Sequence, residues 1–195
     1  MRRLLNDNLL DKVPVNNNLE LVKSLNGEHC VTDKTQIIIV GTITPPKACG
    51  YFYTSPYNCV YGYIDEVRGA NLKVLKKKLK TDASSKSEII KTLQQEKIAF
   101  LDIMKRVIRK KDSSADDDIK NFSLDYDVFE KVFTNLLKNE NVKIICNSRL
   151  AEAGYNKIKE SLWTNRKLLL PESIYISQVR RLQKTEKPKW LKDLV

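Results

Sequence analysis

The run Ile37-Ile38-Ile39-Val40-Gly41 constrains this chain more than any other segment. Consecutive β-branched residues leave no polar face, so a strand built from them must be covered on both sides, as the inner strands of a parallel sheet are. Pro45-Pro46 turns the following stretch into a loop. Three further short runs read as strands: Ile98–Asp102, Val142–Cys146 and Lys167–Leu170, the last stopped by Pro171. Between them the spacing predicts helices. Leu72, Leu75 and Leu79 recur at helical intervals, a second helix spans Ser87–Gln95, and Val128, Phe129, Val132, Phe133, Leu136 and Leu137 form a strong amphipathic stripe. Asp127 with Glu130 is read as the capping pair of that last helix, and Ser148 as the N-cap of a helix over Leu150–Leu162. Short helices are expected around Leu19–Leu25 and Lys187–Leu194, and Asp112–Asp118 reads as an acidic loop.

Strands alternating with helices imply an α/β fold: a three-layer α/β/α sandwich around a four-stranded, mainly parallel sheet. A chain of 195 residues fits one such domain over 1–195, with a polar, Asn-rich extension over about 1–34. In sheets of this kind ligands bind outside the carboxyl ends of the strands. Those ends are read here as Gly41–Pro46, Leu101–Ile103, Asn147-Ser148 and Pro171–Ser173.

Composition narrows the classes further. Apolar runs such as Leu168–Leu170 fall far short of the roughly 20 residues of a membrane span. Asn6, Asp7 and Asn8 interrupt the apolar stretch that a secretory signal needs, so the reading is a cytoplasmic protein. The cysteines, Cys30, Cys49, Cys59 and Cys146, form no C-x-x-C pair, and His29 is the single histidine; neither a zinc site nor a disulfide framework is expected. Neither a G-x-G-x-x-G nor a P-loop pattern occurs, which removes the usual ground for a nucleotide-binding domain. The net charge of +11 is concentrated. Residues 73–111 carry 13 basic and 4 acidic side chains and residues 156–195 carry 10 and 4, while the rest of the chain is net acidic. Such a surface draws polyanions by counterion release.

The four strand ends carry a family pattern in order. The first is the buried strand with Gly41 and its Pro-containing loop, then Gly50-Tyr51-Phe52-Tyr53-Thr54-Ser55-Pro56-Tyr57-Asn58. Next come Phe100-Leu101-Asp102-Ile103, the acidic-then-Asn stretch Asp116–Asn121, Cys146-Asn147-Ser148, and Leu170-Pro171-Glu172-Ser173. Together these resemble the uracil-DNA glycosylase superfamily over roughly residues 36–175, nearest to the mismatch-specific uracil/thymine and the deoxyinosine (hypoxanthine) glycosylases. The resemblance implies a monomeric repair enzyme acting on DNA without metal or other cofactor, hydrolysing the N-glycosidic bond of a deaminated base, uracil or hypoxanthine, flipped from the stack.

It also implies roles. Tyr53 falls where the family places the aromatic that stacks on the flipped base, a contact worth roughly 1–3 kcal/mol. Asn147 offers a donor and an acceptor together, as reading a lactam edge requires. Asn58 and Pro45 complete the base-binding set. Asp102 is placed to hold water or to buttress the first loop through Thr42 or Thr44, and backbone amides of Thr44–Lys47 to take the charge of the leaving base. Ser173, Tyr175, Arg180 and Arg181 are the expected DNA contacts. Ser55 stands where the family has His, and the first loop has no Asp or Asn to position water. These departures define the alternative: a catalytically weakened relative that binds DNA or a modified nucleotide without cleaving it.

Overall fold

In the computed structural model, residues 3–45, 50–54, 59–113, 115–136 and 142–175 are described. They form, in chain order, β1 (Arg3–Leu4), α1 (Asp7–Leu10), β2 (Leu19–Lys23), β3 (Ile37–Gly41), α2 (Val60–Arg68), α3 (Leu72–Lys78), α4 (Ser85–Gln95), β4 (Ile98–Asp102), β5 (Met104–Lys110), β6 (Ile119–Leu124), α5 (Tyr126–Leu136), β7 (Lys143–Cys146), α6 (Arg149–Arg166) and β8 (Ser173–Tyr175). Short 3-10 turns lie at Asn26–Glu28 and Asp116–Asp118.

The β-branched run becomes β3, and every one of its residues is buried. It lies second in a four-stranded sheet of order β4-β3-β7-β8, in which every pairing is parallel. This is the expected sandwich sheet. The chain first moves from β3 to β4 on one side, then crosses to β7 and β8 on the other. With right-handed connections, helices α2–α4 cover one face, and α5 and α6, which touch each other, cover the opposite face. The order therefore reverses between β3 and β7, and the crevice beyond their carboxyl ends is where this architecture takes a ligand.

A second sheet, of order β1-β6-β5-β2, was not expected from the sequence. Strand β4 does not end in a loop. Past Ile103 the chain continues directly as β5, which pairs antiparallel with β2 and β6. The segment Leu19–Leu25, expected as a helix, instead supplies β2, because a half-buried edge position beside β5 satisfies its backbone and covers one of its faces.

Three further expectations are corrected. The fourth strand is Ser173–Tyr175, not Lys167–Leu170. Helix α6 runs on to Arg166 and exits through Lys167 in the left-handed region (φ 57°). Leu168 and Leu170 are then buried in the connection, where Tyr155 Oη donates to the Pro171 carbonyl at 2.8 Å. Pro171, lacking an N–H, thus precedes the paired residues rather than following them. The start of α5 is held by Asp125, whose Oδ1 accepts from Val128 N at 3.4 Å, while Asp127 is exposed and pairs with Lys105. Ser148 does cap α6, accepting from Ala151 N at 3.0 Å. The expected helix Lys187–Leu194 lies outside the described residues.

One buried side chain ties the two sheets together. Asn26 Nδ2 donates to the Asp102 carbonyl at 2.7 Å and to Asp125 Oδ2 at 2.8 Å, and Asn26 Oδ1 accepts from Asp102 N at 2.8 Å. Removing the amide leaves two backbone groups and a carboxylate oxygen unsatisfied in a dry place, where each costs about 1–3 kcal/mol. Asn26→Ala is therefore expected to destabilise the fold by about 3 kcal/mol or more. Urea unfolding checks this, a midpoint shift under ordinary scatter being the contrary result.

Candidate active site

At the reversal point the backbone ladders run slightly past the strands. Ile103 N donates to the Gly41 carbonyl at 2.9 Å, Met104 N to the Thr42 carbonyl at 3.1 Å and Asn147 N to the Val40 carbonyl at 3.0 Å. These bonds bring the segments after β3, β4 and β7 into one neighbourhood. Thr42, Thr44 and Asp102 are buried there.

Asp102 faces the first loop. Its Oδ2 accepts from Thr44 N at 2.8 Å, so it acts as the buttress of that loop. Burial pushes its carboxyl up to about 7, with the Thr44 amide and hydroxyl pulling the other way. The same bond turns the Thr44 amide inward, away from any leaving oxygen. The next residue, Pro45, half-buried, has no N–H, and Pro46, also without one, and Lys47 lie outside the described residues. The expected run of loop amides is therefore reduced, among the described residues, to one that is already engaged.

Of the three adjacent aromatics, Tyr51 and Phe52 are wholly buried and only Tyr53 keeps partial exposure. Tyr53 sits at φ 55°, a conformation in which a bulky side chain is rare and strained. Its ring meets Phe100 edge-on at 4.8 Å. Its hydroxyl is buried without a hydrogen-bond partner and lies over Gly41, where a Cβ would come within 2.6 Å of Oη and 3.2 Å of Asp102 Oδ1. Burial first, and then the Asp102 charge, push the phenol far above its ordinary range. Gly41 is what admits Tyr53 to the end of β3.

Asn147 is half-buried at the β7–α6 turn. Beside it, Ser148 Oγ lies 2.9 Å from Thr42 Oγ1, and Thr42 Oγ1 donates to Asp116 Oδ2 at 3.0 Å. A carboxylate only accepts, so the directions are fixed: Ser148 donates to Thr42 and Thr42 to Asp116. Asp116 comes from the tip of the β5–β6 hairpin, so the second sheet delivers an acid to the ends of the first. Arg109, 1% exposed, steadies that tip by donating from Nη2 to the Ala115 carbonyl at 2.9 Å, and its charge acts on Asp116. Sequence reasoning assigned Asp116 no role. The available signal was slight: an arginine next to the β-branched pair Val107-Ile108, seven residues before Asp116.

Thr44, Asp102 and Tyr53 are thus brought together around Gly41, Thr42 links Ser148 with Asp116, and Asn147 stands at the adjacent end of β7. Ser173 is not at the mouth: it pairs with Ile144, two positions short of the sheet edge, whereas Tyr175 pairs with Cys146 at the edge. The end of the fourth strand consequently moves from Pro171–Ser173 to Tyr175. Asn58, Arg180 and Arg181 lie outside the described residues. Among the described residues no group of three or more His, Cys, Asp or Glu is placed to hold a metal ion, and no helix is long and apolar enough to cross a membrane.

Compared with solved structures, the chain is similar to the solution NMR structure of a candidate uracil DNA glycosylase from Methanosarcina acetivorans. The two are 18% identical and superpose with a TM-score of 0.53 over 85% of this chain and 92% of that one. At that identity the likeness is one of fold. No protein-family profile matches the sequence, and no curated protein matches it.

Two outcomes follow from the packing. Gly41→Ala forces Tyr53 off its seat and is expected to cost about 1–3 kcal/mol, as overpacking does. Tyr53→Phe removes the crowding hydroxyl, which bonds nothing, so the double variant recovers most of the loss; additive losses in thermal unfolding are the contrary result. Asp102 sets a pH dependence. Its folded value of about 7 exceeds the ordinary 3.8, so the folded state holds the proton more tightly. The stability this contributes is complete below about pH 4 and is lost as pH rises through 7, by up to about 4 kcal/mol. Asp102→Asn is expected to flatten that decline in Tm between pH 5 and 8.

Proposed function

We propose that this protein is a DNA glycosylase that hydrolyses the N-glycosidic bond of a deaminated base, uracil or hypoxanthine, held extrahelically at the ends of β3 and β7. What supports this reading is that Tyr53, seated over Gly41, and the carboxylate of Asp116, linked through Thr42, stand at the end of β3, beside the end of β7 that carries Asn147. They supply a π-surface, a donor–acceptor pair and a water-orienting acid.

In this reading the flipped base lies against the exposed part of Tyr53, and the Asn147 amide donates to its lactam oxygen while accepting from its ring N–H. Asp116 accepts a hydrogen bond from a water on the sugar side, at one of the several acceptor positions that a carboxylate offers. As the C1′–N bond lengthens, its electron pair leaves with the base, and the growing charge on the lactam oxygen is met by the Asn147 N–H. The water oxygen bonds to C1′ and gives its proton to Asp116. The products are the free base and an abasic site. Asp102 contributes by fixing the loop through Thr44, and the Ser148–Thr42 link keeps Asp116 from drifting. Tyr175, Arg180 and Arg181 remain proposed contacts to the DNA, while Ser173, set back from the mouth, is dropped from that set.

The test uses labelled oligonucleotides, each with one uracil, hypoxanthine or xanthine, incubated with protein and then treated with hot alkali. Alkali-labile breaks at one lesion are expected. Loss of a single charge-stabilising donor or positioned base commonly costs about 10²–10⁴-fold, and Asn147→Ala and Asp116→Asn are each expected to lose that much single-turnover rate. Intact lesions on DNA that the protein still retards in a gel would replace this reading with that of a non-cleaving binder.

A further inference from the structure

The sequence concentrates basic residues over 73–111, and the site described above absorbs only Arg109 of them. Lys73, Lys77, Lys78 and Lys80 are exposed around α3 and the turn into α4, and none has an ion pair among the described residues. Helix stability accounts for Lys77 and Lys78, which lie in the last turn of α3, but not for the others. Cations in the last turn favour the helix dipole, but Lys73 sits in the first turn, where it opposes the dipole, and Lys80 lies past the helix end. Lys73 and Lys77 are like charges four residues apart on the helix, a spacing that destabilises. Asp82 and Glu88 interrupt the cluster: Asp82 is engaged by the Ser84 amide and hydroxyl, and Glu88 lines the same α3–α4 groove as Lys78.

The fold sets this cluster beside the candidate site. Helix α4 leads straight into β4 and packs on it, so its first turn stands at the carboxyl end of the strands. Residues 79–84 are closed by turn bonds from Thr81 N and Asp82 N to the Lys78 carbonyl, making α3 and α4 an antiparallel pair. The tip of that pair, with Lys77, Lys78 and Lys80, is therefore at the same end of the molecule as Gly41, Tyr53 and Asn147. An ion pair between Lys86 and Glu28 confirms the location, since Glu28 is two residues from Asn26, which grips Asp102.

We propose that the α3–α4 tip is a DNA-backbone contact: Lys77, Lys78 and Lys80 bind phosphates of the duplex beside the nucleotide held at the strand ends. This rests on the glycosylase reading for the identity of the polyanion. The polyanion neutralises a local concentration of positive charge.

The test measures binding of a fluorescein-labelled, lesion-free duplex by anisotropy from 50 to 200 mM KCl, for the wild type and a Lys77→Gln/Lys78→Gln/Lys80→Gln variant. Each phosphate contact contributes about 0.9 to the slope of log K against log salt, so the variant's slope is expected to be shallower by about 2–3. Its affinity at low salt falls about tenfold or more, while its Tm stays close to that of the wild type. Restoring the charges as arginine restores the slope. A variant with the wild-type slope overturns the proposal, and so does a variant that loses binding to a poly-glutamate chain but not to DNA. The lesion-cleavage assay, run on the same preparations, separates the two readings. Cleavage by the wild type with a slope untouched by the substitutions removes only the phosphate contact. A lysine-dependent slope without cleavage of any lesion removes only the glycosylase reading, and absence of both duplex binding and cleavage removes both.

Discussion

The side chain of Asn26 is the joint on which the rest of this structure depends. Its amide occupies both backbone hydrogen-bonding groups of Asp102 at the point where β4 leaves the parallel sheet and the chain bends into the second one. In a dry interior neither group has another partner of equal quality, so the bend is fixed in place. Everything at the strand ends is referred to that point. Asp102 holds Thr44, Thr44 sets the first loop, and Gly41 beside them leaves the room that Tyr53 fills. The third bond of Asn26, to Asp125, links the same joint to the start of α5. A residue in the polar N-terminal part of the chain thereby governs geometry some 76 positions away.

The parallel sheet was legible because its strands are continuous apolar runs, a pattern that few alternatives satisfy. The second sheet was not. In β5 the cations Lys105, Arg106, Arg109 and Lys110 mask a strand whose Val107 and Ile108 are core residues, and the burial of Arg109 runs against the usual meaning of a charge. The register shifts between β5 and β6 further blur any alternation. For Leu19–Lys23, local spacing fits a helix as well as an edge strand, and only the partner β5 decides. Leu168 and Leu170 are apolar because they are buried under the exit of α6, which a sequence cannot distinguish from pairing in a sheet.

The site divides in the same way. Tyr53 and Asn147 lie next to recognisable strand ends and could be located from them. Asp116 could not, since it reaches Thr42 only through a hairpin that folds back across 74 residues of sequence. The inward turn of the Thr44 amide was likewise hidden, because it depends on where the carboxylate of Asp102 points rather than on which residues are present. Side-chain direction at a chain reversal is a tertiary property, and that is where the reading from sequence ran out.

The candidate site therefore draws its acid from one sheet and its amide from the other, and Thr42 is one bond that joins these halves. Proteins open in contiguous units of unequal stability, and a hairpin ending in an exposed turn belongs to the weaker kind. Opening of the β5–β6 tip separates Asp116 from Thr42 while the parallel sheet stays whole. Competence at the strand ends is in that case governed by a local equilibrium that global melting does not report, so preparations with the same thermal midpoint can differ in the fraction of molecules whose two halves are assembled.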